Sequence, residues 1–248
     1  MRGFRLALQF LTILPVEVEG ELPPETVRAS LAWFPAVGLL IGGVLAFLPT
    51  HVWPAAPDRL SCLLVVATGI LLTGALHLDG LADMADALCA RKDREGRLAV
   101  MKDPRVGAAG AAAISLAVLL RWELLSGLTS GGRLTALLLA PAVGRAAMVG
   151  ALRLLPPARP DGLVRLWGPA PWPAVVVSLL LAVALPLFIQ PLAAFKGLVG
   201  AALAAGFLLA VARKAFGGLT GDVCGAVGEL AELAFLMGFL GTGRWGPL

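Results

Sequence analysis

The chain has 248 residues, of which 58% are hydrophobic and 15% charged. A soluble domain is about 45–50% apolar and about 25% charged and cannot hide this much apolar surface, while a disordered chain is charge-rich and apolar-poor. The composition therefore predicts a polytopic membrane protein, and a formal charge of +4 fits basic loops at one membrane face better than nucleic-acid binding.

Arg2 and Arg5 open the chain, and the apolar stretch over 3–14 is too short to span. It predicts an interfacial helix. Pro15 and an acidic loop follow it, with no small-residue cleavage site, so a removable signal peptide is not expected. A helix crosses the hydrocarbon core with about 20 mostly apolar residues. Such stretches run near 31–53, 60–78, 107–125, 134–155, 172–190 and 192–212, and a shorter one at 229–240 completes a seventh span. The expected fold is all-α: a transmembrane bundle of about six to seven spans plus the N-terminal interfacial helix, in one integral membrane domain over 1–248. Gly and Ala crowd the spans and allow close helix approach, while Pro141 and Pro186 are expected to kink theirs.

With the 79–106 segment inside, 14 Lys and Arg fall on its side of the membrane. Only Arg59, Arg133, Lys196 and Arg244 fall on the other, and Arg121 and Arg145 lie within spans. The positive-inside rule places 79–106 in the cytoplasm. Cys62, Cys89 and Cys224 form no CxxC pair, so neither a disulfide framework nor a zinc site is expected.

Acidic residues are scarce, and six of the sixteen fall between Asp79 and Asp103. Asp79, Asp83 and Asp86 are spaced by four and three, so a continuing helix carries all three on one face. Hard oxygen ligands at this spacing suit Mg²⁺ shared with substrate phosphates; the plainer reading is a solvated helix end. A basic run from Arg91 to Arg105 follows, as phosphoryl chemistry requires, although topology alone would also supply it. Lys102, Asp103 and Arg105 stand at the mouth of the third span, beside Gly107. A second cluster, Gly217-Gly218-Leu219-Thr220-Gly221-Asp222, reads as a loop entering a helix, where free backbone N–H groups can meet an anion. Asp222 and Glu229 share a helix face, with Glu232 nearby. Arg145 sits mid-span, where an arginine costs about 2.5–3.5 kcal/mol, so a phosphate or an Asp of the site is expected to face it. His77 is either a proton acceptor or simply hydrogen-bonded, and His51 reads as structural. Cys89 and Cys224 read as packing residues.

The chain resembles the cobalamin synthase family, the adenosylcobinamide-GDP ribazoletransferases. The resemblance rests on Phe10-Leu11-Thr12-Ile13-Leu14-Pro15, Phe34-Pro35-Ala36-Val37-Gly38 and, most specifically, the run from Leu76 through Asp79-Gly80-Leu81-Ala82-Asp83-Met84-Ala85-Asp86 to Ala87. Met101–Gly107, Gly144-Arg145 and Gly218–Asp222 follow in order. Ala87 stands where the family usually has Gly, and 153–212 adds little beyond hydrophobicity. The resemblance implies Mg²⁺-dependent transfer of the adenosylcobinamide phosphate moiety from adenosylcobinamide-GDP to α-ribazole, or α-ribazole 5′-phosphate, with release of GMP. It implies Asp79, Asp83, Asp86 and Asp222 as metal ligands and Arg97, Lys102, Arg105 and Arg145 on phosphates, with Thr220 and Gly221 in the same binding region. His77, Asp83 or Asp103 would handle the proton. The setting it implies is a bacterial or archaeal cytoplasmic membrane, with the active site facing the cytoplasm. Membrane lipid is then a partner and nucleic acid is not, and a homo-oligomer or other membrane proteins of the pathway are compatible with the sequence.

Three other readings are weaker. CDP-alcohol phosphotransferases continue an Asp-Gly start with Ala-Arg and a GxxxDxxxD segment that is absent here. UbiA-type prenyltransferases place an Asn before paired aspartates, and this chain has no Asn. A transporter keeps ionisable groups near the midplane, whereas here the carboxylates gather toward one face.

Overall fold

Helix α1 (Arg2–Leu11) buries Ala7 and Leu11 and leaves Arg2 and Arg5 exposed, as an interfacial helix should. The computed structural model describes residues 2–240, so Arg244 lies outside the described residues. After α1 come α2 (Pro24–Ser30), continuous through one 3₁₀ turn with α3 (Phe34–His51), then α4 (Asp58–Thr73), α5 (Leu76–Cys89) and α6 (Arg94–Val100). The chain continues through α7 (Ala108–Gly127), α8 (Ser130–Leu154), α9 (Leu163–Trp167), α10 (Trp172–Ile189), α11 (Pro191–Phe216) and α12 (Gly221–Met237). Among the described residues the nearest thing to a strand is one bridge between Pro157 and Leu219.

Five helical stretches, over 24–51, 108–127, 130–154, 172–189 and 191–216, are long and apolar enough to cross a membrane. The expected span at 60–78 is broken. Gly74 and Ala75 both take left-handed conformations, with φ of 60° and 57°, and α4 and α5 meet at 87°. Nothing in that apolar run forbids a straight helix. Ala75 holds its conformation against a penalty of about 1–2 kcal/mol because the bend delivers α5 to the bundle. The expected seventh span at 229–240 falls on the latter part of α12 and the turn after it; α12 starts at Gly221, carries Asp222, Glu229 and Glu232, and is not among the described helices long and apolar enough to cross.

Pro186 disturbs its helix as expected, since it offers no N–H to the preceding turn; a π-helical turn over Leu180–Ala184 absorbs the mismatch. Pro141, by contrast, sits within an uninterrupted α8.

Helix α12 is the axis of the bundle, enclosed by α5, α7, α8 and α11. Small residues make the approach possible. A Cβ on Gly42 of α3 would lie 2.3 Å from the Leu138 carbonyl oxygen of α8, and one on Gly197 of α11 would lie 2.5 Å from that of Phe235. Without a hydrophobic drive between helices in lipid, such close backbone packing is the main source of cohesion. Leu40, Phe47, Leu116, Phe188, Leu203 and Phe207 point outward and form an apolar surface suited to acyl chains.

Candidate active site

Helix α5 is unbroken from Leu76 to Cys89, so Asp79, Asp83 and Asp86 do share a face at the spacing the sequence sets. The start of α12 lies against them. Gly80 makes this possible, since a Cβ there would stand 2.5 Å from the Asp222 carbonyl oxygen. Asp79 and Asp222 line one cavity. The negative charges of Asp79, Asp222 and Asp86 all bear on Asp83, and the guanidinium of Arg159 opposes them. Of the four carboxylates expected as metal ligands, Asp79 and Asp222 are thus brought to one cavity, and Asp83 and Asp86 stand on the same face of α5 as Asp79.

Asp86 has a second task. Its two oxygens accept the backbone N–H groups of Gly107 at 2.7 Å and Gly110 at 2.8 Å, which anchors the start of α7. An anion there is favoured by the unpaired amides and dipole of the helix N-terminus. Of the four, Asp86 is therefore the most committed to structure.

Among the described residues, no three His, Cys, Asp or Glu side chains stand close enough to enclose a metal ion. A caged site is therefore not formed. The donor set suits Mg²⁺ of the other kind, which keeps several waters and binds through one or two carboxylates plus substrate phosphates.

The glycine cluster folds as a loop entering a helix. Gly217, with φ 74°, ends α11, and Thr220 caps α12 by accepting the Val223 N–H at 3.2 Å. Arg94 holds the loop by donating from Nε to the Phe216 carbonyl and from Nη2 to that of Ala158, at 2.8 and 2.9 Å. A small cavity opens beside it, lined by Arg159, Thr220 and Gly221 among others. Arg159 donates to the Leu98 carbonyl at 2.8 Å, while its buried Nε has no partner. The sequence marks Arg159 only as one more basic loop residue. Its place beside Asp83 and Asp222 depends on a fold that brings 159 next to both clusters.

The expected phosphate-binding cations divide into three groups. Arg97 stands in α6, half-buried, with Nε unpartnered. Lys102 pairs with Asp161 at 3.3 Å, and Arg105 with Asp103 at 2.6 Å, in exposed loops. Exposed pairs are worth little, so a phosphate can displace them. Arg145 departs from expectation. It is buried and paired with Glu232 of α12, not with a site Asp. Arg121 of α7 closes the network, reaching Glu229 at 2.7 Å and Glu232 at 3.2 Å. Two cations and two anions balance inside the bundle, away from the exposed cations, while Arg145 Nε keeps no partner and Arg145 shares a cavity with His77.

Asp103 is paired with its neighbour Arg105. The hydrogen bonds it accepts from Arg105, side chain first and then backbone, hold its carboxyl down at about 2. So weak a base is a poor proton acceptor at neutral pH. Asp161 is likewise lowered, chiefly by its hydrogen bond from Lys102. His77 is buried at the start of α5 and lines the cavity holding Asp79 and Asp222; its Nε2 has no hydrogen-bond partner.

An all-helical bundle with an apolar exterior and a carboxylate-and-arginine pocket at one end defines a polytopic membrane protein with a polar site near one face. Comparison with known proteins narrows this. The family model described as cobalamin-5-phosphate synthase matches residues 3–240, and the chain belongs to that family. It is 42% identical over 240 residues to the adenosylcobinamide-GDP ribazoletransferase of Pseudomonas putida (strain KT2440), covering 96% of this chain and 98% of the relative. The proteins of the same name from Pseudomonas entomophila (strain L48) and Thermoanaerobacter sp. (strain X514) are 43% and 34% identical over 243 and 238 residues. Coverage there is 96% of this chain and 98% of the former, and 95% of each chain for the latter. No solved structure matches the chain. Family membership makes the protein a transferase of cobalamin biosynthesis.

Proposed function

We propose that the protein transfers the adenosylcobinamide phosphate moiety from adenosylcobinamide-GDP to α-ribazole, or to α-ribazole 5′-phosphate. The reading is carried by one observation: Asp79, on the three-carboxylate face of α5, lines one cavity with Asp222 at the capped start of α12. The names of the relatives support the same substrates.

In the reaction a ribose hydroxyl oxygen of the acceptor forms a bond to the phosphorus that carries cobinamide. The bond between that phosphorus and the diphosphate bridging oxygen breaks, and the electron pair leaves on GMP. Arg159, Thr220 and Gly221 receive the diphosphate, and Lys102 and Arg105 exchange their exposed carboxylate partners for it. Asp83, on the same helix face as Asp79, accepts the hydroxyl proton, with His77, which lines the cavity of Asp79 and Asp222, as the other candidate. Asp79 and Asp222, which line one cavity, would hold a largely hydrated Mg²⁺ together with the substrate phosphates, with Asp83 and Asp86 on the same helix face as Asp79. The ion would neutralise charge on the phosphoryl oxygens. In this proposal the site faces the cytoplasm, a reading supported by the excess of Lys and Arg on its side of the spans.

The test is direct. Purified protein in detergent, given adenosylcobinamide-GDP, α-ribazole and Mg²⁺, releases GMP; EDTA stops the release and excess Mg²⁺ restores it. No GMP release, accompanied by flux of a substrate across liposomes, overturns the proposal in favour of transport. Persistence of full activity in EDTA removes the metal assignment alone.

A further inference from the structure

A cavity open at its mouth lies between α1, α5, α8, α9 and α12, next to the carboxylate group. Its polar lining is Asp79, Asp222 and His77, and much of the rest is apolar: Phe10, Met148, Leu163 and Trp167. Trp167 is buried, and its ring meets Phe10 edge-on at 4.6 Å between centroids. Phe10 sits on the interfacial helix and Trp167 on a five-residue helix beside the glycine loop. Neither ring is needed to hold phosphate or metal. The cavity shares Leu163 and Gly221 with the smaller one lined by Arg159 and Thr220, so two chemically different pockets meet at the start of α12.

We propose that this aromatic-lined cavity seats the flat base of the acceptor nucleoside, with its ribose directed at Asp79 and Asp222. The inference rests on the reaction proposed above and assigns one substrate to one pocket. Three groups compete for the place. The corrin ring is far too large for it. Guanine carries hydrogen-bonding groups around most of its edge, and burying them against Phe, Met, Leu and Trp would leave several unpaired. A benzimidazole base presents an apolar ring that gains from aromatic contact. A base held here leaves its ribose at the carboxylate end, where the hydroxyl is deprotonated, and the diphosphate fills the neighbouring cationic pocket. Phe10 and Trp167 are then specificity-determining residues for the acceptor.

Steady-state kinetics on the purified full chain separates the two substrates. Trp167→Leu and Phe10→Leu should each raise KM for α-ribazole about three- to tenfold, the scale of one aromatic contact. KM for adenosylcobinamide-GDP should stay within about twofold. Phe10→Trp, which keeps an aromatic ring, should recover most of the acceptor affinity. A rise in donor KM with acceptor KM unchanged overturns the assignment while leaving the reaction intact. Failure of the wild-type protein to release GMP overturns the underlying reading instead.

Protection from labelling provides a readout that needs no turnover. In a Cys89→Ser background, which removes the exposed thiol, Phe10→Cys is labelled with a water-soluble maleimide. α-Ribazole at saturation should slow labelling at least about fivefold, and adenosylcobinamide-GDP should not. Protection by the donor alone, or by neither substrate, overturns the proposal.

Discussion

Arg145 of α8 and Glu232 of α12 form an ion pair inside the bundle, their side chains only 3% and 8% exposed. Glu232 also meets Arg121, which in turn holds Glu229, so three helices are joined by four charges that sum to zero. The arginine most expensive to insert is thereby neutralised by an acid 87 residues away.

Removing one member leaves the others unbalanced, and this predicts non-additive stability. Arg145→Met alone should cost about 3–5 kcal/mol, because Glu232 loses its partner in an enclosed site. The double variant Arg145→Met/Glu232→Met leaves the neutral Arg121–Glu229 pair and should recover much of that loss. Thermal unfolding in detergent is the measurement. Losses that simply add would show that the pair is not coupled.

The sequence made some of this plain and concealed the rest, for physical reasons. Asp79, Asp83 and Asp86 are legible because helical spacing is local and three acids in an apolar chain stand out. The start of α12 is legible from Gly217 to Thr220, since a left-handed helix end and a cap have residue preferences. The bend at Gly74–Ala75 is hidden, because alanine seldom adopts a positive φ and the apolar run continues across it. Glu232 as the partner of Arg145, and Arg159 beside Asp83, are hidden too. Those contacts join distant segments, and no periodicity reports on them.

Asp86 and Asp83 lie three residues apart and should respond differently. Asp86→Ala removes the acceptors for Gly107 and Gly110 and should cost about 1–2 kcal/mol, the worth of a helix cap. Asp83→Asn, which anchors no helix, should leave unfolding nearly unchanged and lower turnover by about two orders of magnitude or more, as loss of a positioned charged group does. Unfolding and GMP release measured on both variants check this. An Asp83→Asn protein with normal Mg²⁺-dependent turnover would remove Asp83 from the site.

The low pKa of Asp103 predicts an absence of effect on the pH profile. A carboxylate held at about 2 stays ionised across the working range, and its pairing with Arg105 is lost only as pH falls from the ordinary carboxylate value of 3.8 through about 2. Between pH 5 and 9 the acid limb of kcat/KM should be the same in Asp103→Asn as in the parent. A displaced limb would return Asp103 to proton transfer.

Neighbouring glycines on α3 offer a controlled test of packing. A Cβ at Gly42 would lie 2.3 Å from the Leu138 carbonyl oxygen, whereas at Gly43 it meets nothing within 4 Å. Gly42→Ala should destabilise by about 1–3 kcal/mol through forced separation of α3 and α8. Gly43→Ala should be neutral or stabilising by up to about 1 kcal/mol, since it only removes glycine's entropy cost. Equal unfolding midpoints for the two would mean that the α3–α8 contact is looser than its geometry.

Gly80 carries the same argument into the site itself. Its missing side chain lets the backbone of Asp222 approach α5, and a Cβ would stand 2.5 Å from the Asp222 carbonyl oxygen and 3.0 Å from its Cα. Backbone cannot rotate aside as a side chain can, so Gly80→Ala must move the start of α12 away from Asp79 and Asp83. A displacement near 1 Å at a reacting centre can cost about 100-fold in rate. GMP release should therefore fall about 10- to 100-fold at saturating substrate, with more Mg²⁺ needed for half-maximal rate. An unchanged Mg²⁺ requirement with full turnover would separate Asp222 from the carboxylates of α5 and leave the loop as scaffold.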